Sequence, residues 1–347
     1  MPILRVIISQ KCPRLNKASM KLLRLVCLFA CVVLSVRADQ KSLDAALVFG
    51  ADAALNVYVH DEMNKPIIGA CVRCGFWLQT SKSSKAVYGQ TDATGHFLAK
   101  AKCNDDVLIL AKSKDYYWSS ARKRMIEITT EPKVKEGKWQ PYGIEVPVCL
   151  RRINAPISME RHFVSNEISI PVTNQWIGFD MKKESFVKPF GDGDRVDFEL
   201  KFDWDGKVRK QYSGSTLRLR FKDQYAGGYW SPLNDESYFK TPMLADTNAN
   251  YSAEFEFFTR RTGKSWAKNL FGKDRSMVFR TRCRADESGR LKESVYGQMY
   301  GLTFGWGSEG RGWFMISYEL NPNLNDPNLE SDIVKKNADR SEELQQW

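Results

Sequence analysis

Leu55-Asn56-Val57-Tyr58-Val59-His60, followed after a turn by Ala70-Cys71-Val72-Arg73-Cys74-Gly75-Phe76-Trp77-Leu78, decides the fold. Apolar residues fall at every second position, the period of a strand with one face on a core. Leu55, Val57 and Val59 alternate with Asn56, Tyr58 and His60. Ala70, Val72, Cys74, Phe76 and Leu78 alternate with Cys71, Arg73 and Trp77. The turn between them, Glu62-Met63-Asn64-Lys65-Pro66, predicts antiparallel neighbours. Further strands are expected at Ala86–Thr91, Phe97–Cys103, Val107–Lys112 and Ile144–Leu150, with Gly- and Asp-containing turns between them. The Ala-rich residues 39–53 are a lead-in, and the charged stretch Pro132–Pro141 is expected to be loop. Roughly seven short strands and no convincing helix predict a small antiparallel sandwich over residues 54–152.

A particular order runs through this region: Asp61, then Pro66-Ile67-Ile68-Gly69-Ala70-Cys71-Val72, then Thr91-Asp92-Ala93-Thr94-Gly95-His96-Phe97, then Val107-Leu108-Ile109-Leu110-Ala111-Lys112. It resembles the carboxypeptidase regulatory-like (transthyretin-like, prealbumin-like) domains of exported bacterial proteins. Pro66 would set the turn into the second strand, Asp92 and Gly95 the hairpin, and Phe97 a plug in the core. Asp115 departs from the pattern, since such domains often carry Gly before an aromatic there. The resemblance implies a prealbumin-like sandwich serving as an accessory module, and it implies a fold more than an activity. The zinc-peptidase half associated with the family name is missing: no Glu stands three residues after His60, His96 or His162.

The second domain is expected over residues 153–325. Val196, Phe198, Leu200, Phe202 and Trp204 alternate with acidic and basic residues, and Asp205-Gly206 makes a hairpin turn. Leu217, Leu219 and Phe221, and then Tyr251, Ala253, Phe255 and Phe257, alternate in the same way. Strands follow at Met277–Cys283, Val295–Trp306 and Trp313–Leu320. The whole is all-β, with the second domain a larger antiparallel β-sandwich for which a jelly roll is one form. Residues 326–347 are a charged tail. The end, Asn321-Pro322 to Asn328-Leu329-Glu330, is similar to the ends of exported bacterial proteins, which implies no activity.

Lys21 and Arg24 precede the apolar run Leu25–Val36, which closes on Val36-Arg37-Ala38. This is the plan of a secretory signal cleaved after Ala38, with Met20 the expected start and the residues before it an upstream extension. A lipoprotein anchored at Cys31 is the alternative, through Leu28-Phe29-Ala30-Cys31. The expected place is the periplasm or cell surface, with no transmembrane span after cleavage. Residues 1–38 hold seven Lys/Arg and no Asp/Glu, so the remainder carries 45 basic against 41 acidic residues, +4 rather than the +11 of the whole chain. The high pI belongs largely to the leader, and nucleic acid is not an expected partner.

Cys71, Cys74, Cys103 and Cys149 fall in the first domain, and export permits one or two disulfides among them; buried core thiols are the other reading. Cys283 is expected as a buried free thiol. No metal or other cofactor is expected. Cys71 and Cys74 point to opposite faces of a strand, so they do not converge on an ion. Asp192-Gly193-Asp194 and Asp203-Trp204-Asp205-Gly206 concentrate carboxylates but lack EF-hand spacing, so turns are preferred. No nucleophile elbow, Cys–His signature or Gly-rich phosphate loop occurs, and the protein is not expected to be an enzyme.

Two features point to binding. Arg260–Lys292 holds eleven Lys/Arg against three acids, with Arg280, Arg282 and Arg284 at alternate positions of one strand. They would form a basic stripe for an acidic glycan, lipid headgroups or an acidic partner, unless Glu254 and Glu256 of a neighbouring strand neutralise it. Tyr225-Ala226-Gly227-Gly228-Tyr229-Trp230, continuing to Tyr238-Phe239, is an aromatic loop that could stack on sugar rings or fold back over the core edge. The expectation is an exported, non-catalytic binding or scaffolding protein, with a cell-envelope protein or glycan as partner. A carbohydrate-binding protein using Tyr225, Tyr229, Trp230 and Tyr238 is the second reading, and a glycan hydrolase on the second sandwich the third.

Overall fold

The structure is a computed structural model that describes residues 39–79, 82–128, 133–163, 166–204, 212–262, 265–307 and 310–334. The leader, the Asp205-Gly206 turn and most of the charged tail lie outside these residues. The protein is all-β, and the chain divides into two compact units. Of the described residues, those up to Val59, Pro66–Ala111 and Ala121–Val148 form the first, and His60–Lys65, Lys112–Ser120 and those from Cys149 onward form the second. Among the described residues no helix is long and apolar enough to cross a membrane.

In the first unit the strand Ala51–His60 is central to one sheet. Ile144–Cys149 pairs with it, and so does His96–Cys103, with Leu55 opposite Ala99 and Val57 opposite Phe97. The second sheet runs in the order Ser83–Gln90, Cys71–Leu78, Asp106–Lys112, Ser119–Arg124. Leu55, Val57 and Val59 from the first sheet, and Val72, Cys74, Phe76 and Ile109 from the second, are all at most 1% exposed. The period-two pattern therefore placed the core residues on the correct face.

Three local expectations change. Residues 39–49 are helical, and Gly50, at φ +78°, ends the helix in the left-handed conformation that favours glycine. Asn104 donates to the carbonyls of Ala46 and Leu47, satisfying groups the helix end leaves open. The charged stretch after Pro132 carries two short strands, Val134–Lys135 and Lys138–Trp139, because Trp139 is fully buried and its indole N–H donates to Cys103 O. Phe97 is half-buried, with its ring over Gly89, so it covers a sheet edge instead of plugging the core. The Asp92–Gly95 turn does form. Asp92 Oδ1 accepts from the Thr94 N–H, the Thr94 hydroxyl and the His96 N–H, and Gly95 sits at φ +73°.

The second unit holds two six-stranded antiparallel sheets. One runs Glu160–Phe163, Gly312–Leu320, Leu291–Trp306, Arg275–Ala285, Gly227–Pro232, with Ile168–Ser169 also paired to Gly312–Leu320. The other runs Ser185–Phe186, Ile177–Asp180, Phe198–Trp204, Tyr212–Arg220, Glu254–Thr262, Ser265–Asn269. Their inner faces share one core. Phe198, Leu200 and Phe202 from one sheet and Phe279, Phe314 and Tyr318 from the other are 0% exposed. Phe179 stacks on Phe198 and meets Phe314 edge-on, at centroid separations of 5.3 and 5.5 Å. Such pairs each add about 0.5–1.5 kcal/mol beyond area burial.

The first of these sheets is covered on its outer face too. Leu329 is fully buried there against Val278, Tyr296, Met159 and Ala245. Asn321 holds this segment by donating to the carbonyls of Asp326 and Asn328. Residues 112–120 group with this unit through similar ties. Tyr116–Tyr117 pairs with Arg151–Arg152, and the Tyr117 hydroxyl donates to Glu330.

Candidate ligand-binding cleft

The expected aromatic loop is a strand. Gly227–Pro232 is the edge strand beside Arg275–Ala285, with Trp230 opposite Met277. The paired glycines explain how. A Cβ at Gly227 would lie 2.7 Å from Ser252 O, and one at Gly228 would lie 3.0 Å from Met277. Their absence lets the Tyr251–Ser252 segment close in, so that Gly228 and Ser252 exchange backbone hydrogen bonds of 3.0 and 2.9 Å.

Beyond this edge lies an open cleft of about 530 Å³, lined by residues of Gly227–Pro232, Glu254–Thr262 and Ser265–Asn269 together with Arg275. One wall is aromatic. Trp230 meets Phe271, Phe255 and Phe257 edge-on at 4.9, 5.7 and 6.2 Å. The Arg275 guanidinium lies 4.0 Å from the Trp230 ring centroid. Its Nε is buried and has no hydrogen-bond partner among the described residues. The lining also holds polar groups. Glu254 and Glu256 alternate with Phe255 and Phe257 along the strand, and the Asn269 amide donates to Glu256 O. An aromatic floor with carboxylate, amide and guanidinium groups at its rim can bury the C–H face of a ligand while bonding its hydroxyls.

Of the other aromatic candidates only Tyr229 borders this cleft; Tyr225 and Tyr238 do not. The Tyr225 hydroxyl donates to Gly289 O. Tyr229 packs edge-on against Tyr251, and its oxygen accepts the Asp246 N–H, with burial raising its pKa. Tyr238 stacks on Trp118 at 4.7 Å. They fold back over the protein's own surface, which was the alternative reading of this stretch.

The basic stripe does not form. A bulge breaks the register between Thr281 and Arg284, and Arg282 sits at φ +54°. Alternation fails at a bulge because one extra residue faces its neighbour across the ladder. Arg280 therefore lies over the Tyr251 ring at 4.0 Å and donates to Tyr225 O. Arg282 turns to Asp197 and Asp180, and Arg284 pairs with Glu293 at 3.6 Å. Glu254 and Glu256, expected to neutralise the stripe, instead face Arg220 and Arg218 across their own sheet.

All five described cysteines are free thiols, so the expected disulfides among Cys71, Cys74, Cys103 and Cys149 are absent. Cys71 and Cys74, three apart on one strand, leave by opposite faces, and Cys74 and Cys103 are spent on the core. Burial pushes both of these thiols up to about 12. Cys283 is buried and free as expected, its thiol raised by burial to about 11. Among the described residues no group of three or more His, Cys, Asp or Glu could hold a metal ion. In the two carboxylate-rich turns Asp194 pairs with Lys183 and Asp203 with Arg218, while Asp205 lies outside the described residues.

Sequence reasoning found Trp230 but gave it the wrong neighbours. The alternation Glu254-Phe255-Glu256-Phe257 was the available signal for the rest of the lining; Arg275 and Asn269 had none. Comparison with models of known protein families gives no match, and comparison with curated proteins gives none either.

Proposed function

We propose that the chain is an exported, non-catalytic binding protein of the cell envelope, and that its second unit takes a glycan in the cleft beside Trp230. The observation that carries this reading is the cleft itself, about 530 Å³ lined by Trp230, Phe255 and Phe257 together with Glu254, Glu256 and Asn269. That division of apolar and hydrogen-bonding surface suits a sugar ring, which has an apolar face and a hydroxylated edge. The buried acids support binding over catalysis. Asp180 and Asp197 are held by Arg282, and Glu199 by Arg220, where a general acid or base would need a free proton site. Export rests on the leader reading, and an accessory role for the first unit rests on the family resemblance.

The test is a glycan-panel and envelope-extract binding screen with the purified chain, repeated with Trp230→Ala and Asn269→Ala. Binding that falls at least tenfold in both variants supports the reading. Binding unchanged in both, binding to no glycan, or turnover of a bound glycan overturns it. Trp230 also supports Phe255 and Phe271, so the Asn269 variant separates lost ligand contact from lost packing.

A further inference from the structure

A second site lies on the outer face of the first unit. On the sheet formed by Ser83–Gln90, Cys71–Leu78, Asp106–Lys112 and Ser119–Arg124, three large apolar side chains are exposed: Trp77 at 43%, Tyr88 at 54% and Leu108 at 44%. Trp77 and Leu108 line a gap, and Tyr88 stands beside it against Arg73. Cross-strand register places Trp77 opposite Ser84, Gly75 opposite Ala86, and Arg73 opposite Tyr88. The small Gly75–Ala86 pair is thus bracketed along the strands by Trp77 on one side and by the Arg73–Tyr88 pair on the other. The Arg73 guanidinium lies 5.7 Å from the Tyr88 centroid. Leu108 and Leu110 of the adjoining strand make another wall, and the Asp106–Arg122 ion pair stands at the rim. The space is about 470 Å³, within the range of small-ligand pockets.

Gly75 is the second observation. Glycine within a strand costs stability relative to alanine, so it calls for a reason. The fold supplies none. Gly75 is not among the residues at positive φ, and a Cβ there would meet nothing nearer than Leu108 O at 3.8 Å, an ordinary contact. By contrast, a Cβ at Gly95 would lie 2.5 Å from Val59 O, and one at Gly89 2.2 Å from the Phe97 ring. What the missing side chain at Gly75 does is leave the pocket open. Close approach of another molecule to the backbone is one recognised setting for a strand glycine.

We infer that this pocket binds a small amphipathic anion, its flat apolar body lying over Gly75 between Trp77 and Leu108 and its charged end toward Arg73. The walls set the class. Two leucines and an exposed indole favour an apolar body over a hydroxylated one. Two arginines against one aspartate give the lining a net positive charge.

The test uses 8-anilinonaphthalene-1-sulfonate, an aromatic anion, and uncharged N-phenyl-1-naphthylamine as paired fluorescent probes of the full chain. The anion is expected to titrate a site that disappears in Gly75→Leu, whose side chain fills the pocket. Melting temperature in that variant should equal or exceed wild type. Arg73→Gln is expected to weaken the anion about tenfold and leave the neutral probe unchanged. If Gly75→Leu does not fold, Ala86→Leu closes the same gap from the edge strand and must give the same loss. An anion titration that keeps every site in the filled variant, or a wild-type chain that binds neither probe, overturns the site. Equal affinity for the two probes overturns the anionic class.

Discussion

Replacing Arg282 with methionine tests how the second unit is held together. Arg282 Nε and Nη2 each donate to Asp197 at 2.8 Å, and Nη2 also donates to Asp180 at 3.0 Å. The side chains of Asp180 and Asp197 are 3% and 0% exposed, and that of Arg282 16%. Removing one member of such a group strands the others, at about 3–5 kcal/mol. The lower end applies here, because backbone amides also serve the stranded carboxylates. Asp180 accepts from the N–H groups of Lys182, Lys183, Asp194 and Arg195, and Asp197 from that of Met181. Methionine is preferable to glycine, since glycine would also relieve the positive φ of +54° and mix two effects.

A loss of about 3 kcal/mol lowers the melting temperature of a unit this size by roughly 6–12 °C. Scanning calorimetry reads it as a shift of the larger of the two units' transitions. The pH dependence is a second check. Burial pushes the Asp180 carboxyl up, but the amides of Arg195, Asp194 and Lys183 and the charge of Arg282 outweigh it and hold the group below the usual range. Its contribution in wild type is therefore complete above the unfolded value near ~4 and is lost as pH falls through the lower folded value. Without Arg282 the Asp180 carboxyl loses a charge that holds it down while burial still pushes it up, so the variant gains relative stability as pH falls. The gap between the two proteins should narrow between about pH 6 and pH 3. A shift below about 2 °C at pH 7, about 0.5–1 kcal/mol by the same scaling, refutes the reasoning. So does a gap that stays constant with pH.

Three further outcomes follow from other parts of the structure. Alkylation of the native protein at pH 8 should spare Cys74 and Cys103, whose thiols burial raises to about 12, and label them only after unfolding, as mass spectrometry would show. The exposed Asp92 carboxyl should titrate near about 2 by NMR, because the Thr94 hydroxyl and the His96 and Thr94 amides bond its charged form; Thr94→Ala should move the midpoint up. Glu330→Gln should cost about 1–3 kcal/mol in urea unfolding, because the buried carboxylate accepts from the Tyr117 hydroxyl and the Asn154 and Ala155 amides, and the substituted NH₂ cannot accept.

Both sandwiches were legible because their strands keep one face to a core. Phe198, Leu200 and Phe202 alternate without a break, and all three are fully buried. What period two cannot report is a single buried residue in a charged segment, such as Trp139, or a second covered face. Met277-Val278-Phe279 carried a trace of the latter, three apolar residues in a row, all 0% exposed. The middle one faces away from the shared core, toward Leu329. Gly75 was equally silent. Whether a glycine is needed for φ, for crowding or for an opening depends on atoms that other strands bring to it.

The arginines carry the same lesson into function. Counting charges along Arg260–Lys292 gave a local +8, yet neutralisation depends on neighbours in space. Arg282 is answered by Asp180 and Asp197, far back in the sequence. On the other sheet Asp203, Arg218 and Glu256 form one row of alternating charge, and Glu199, Arg220 and Glu254 another. With these arginines paired off, the expected stripe has little left to steer an acidic glycan. The cleft beside Trp230 is lined by two carboxylates, Glu254 and Glu256, each facing an arginine of its own sheet, and by one guanidinium, Arg275, so it carries no large net charge of either sign. A glycan held there should be uncharged, recognised by stacking and hydroxyl bonding. Raising salt from roughly 0.1 to 1 M shrinks the screening length from about 10 to about 3 Å, so an ion-driven complex would weaken severalfold or more over that range. The complex at Trp230 should change by less than about twofold, and a steep loss measured by titration calorimetry would return the argument to the basic residues.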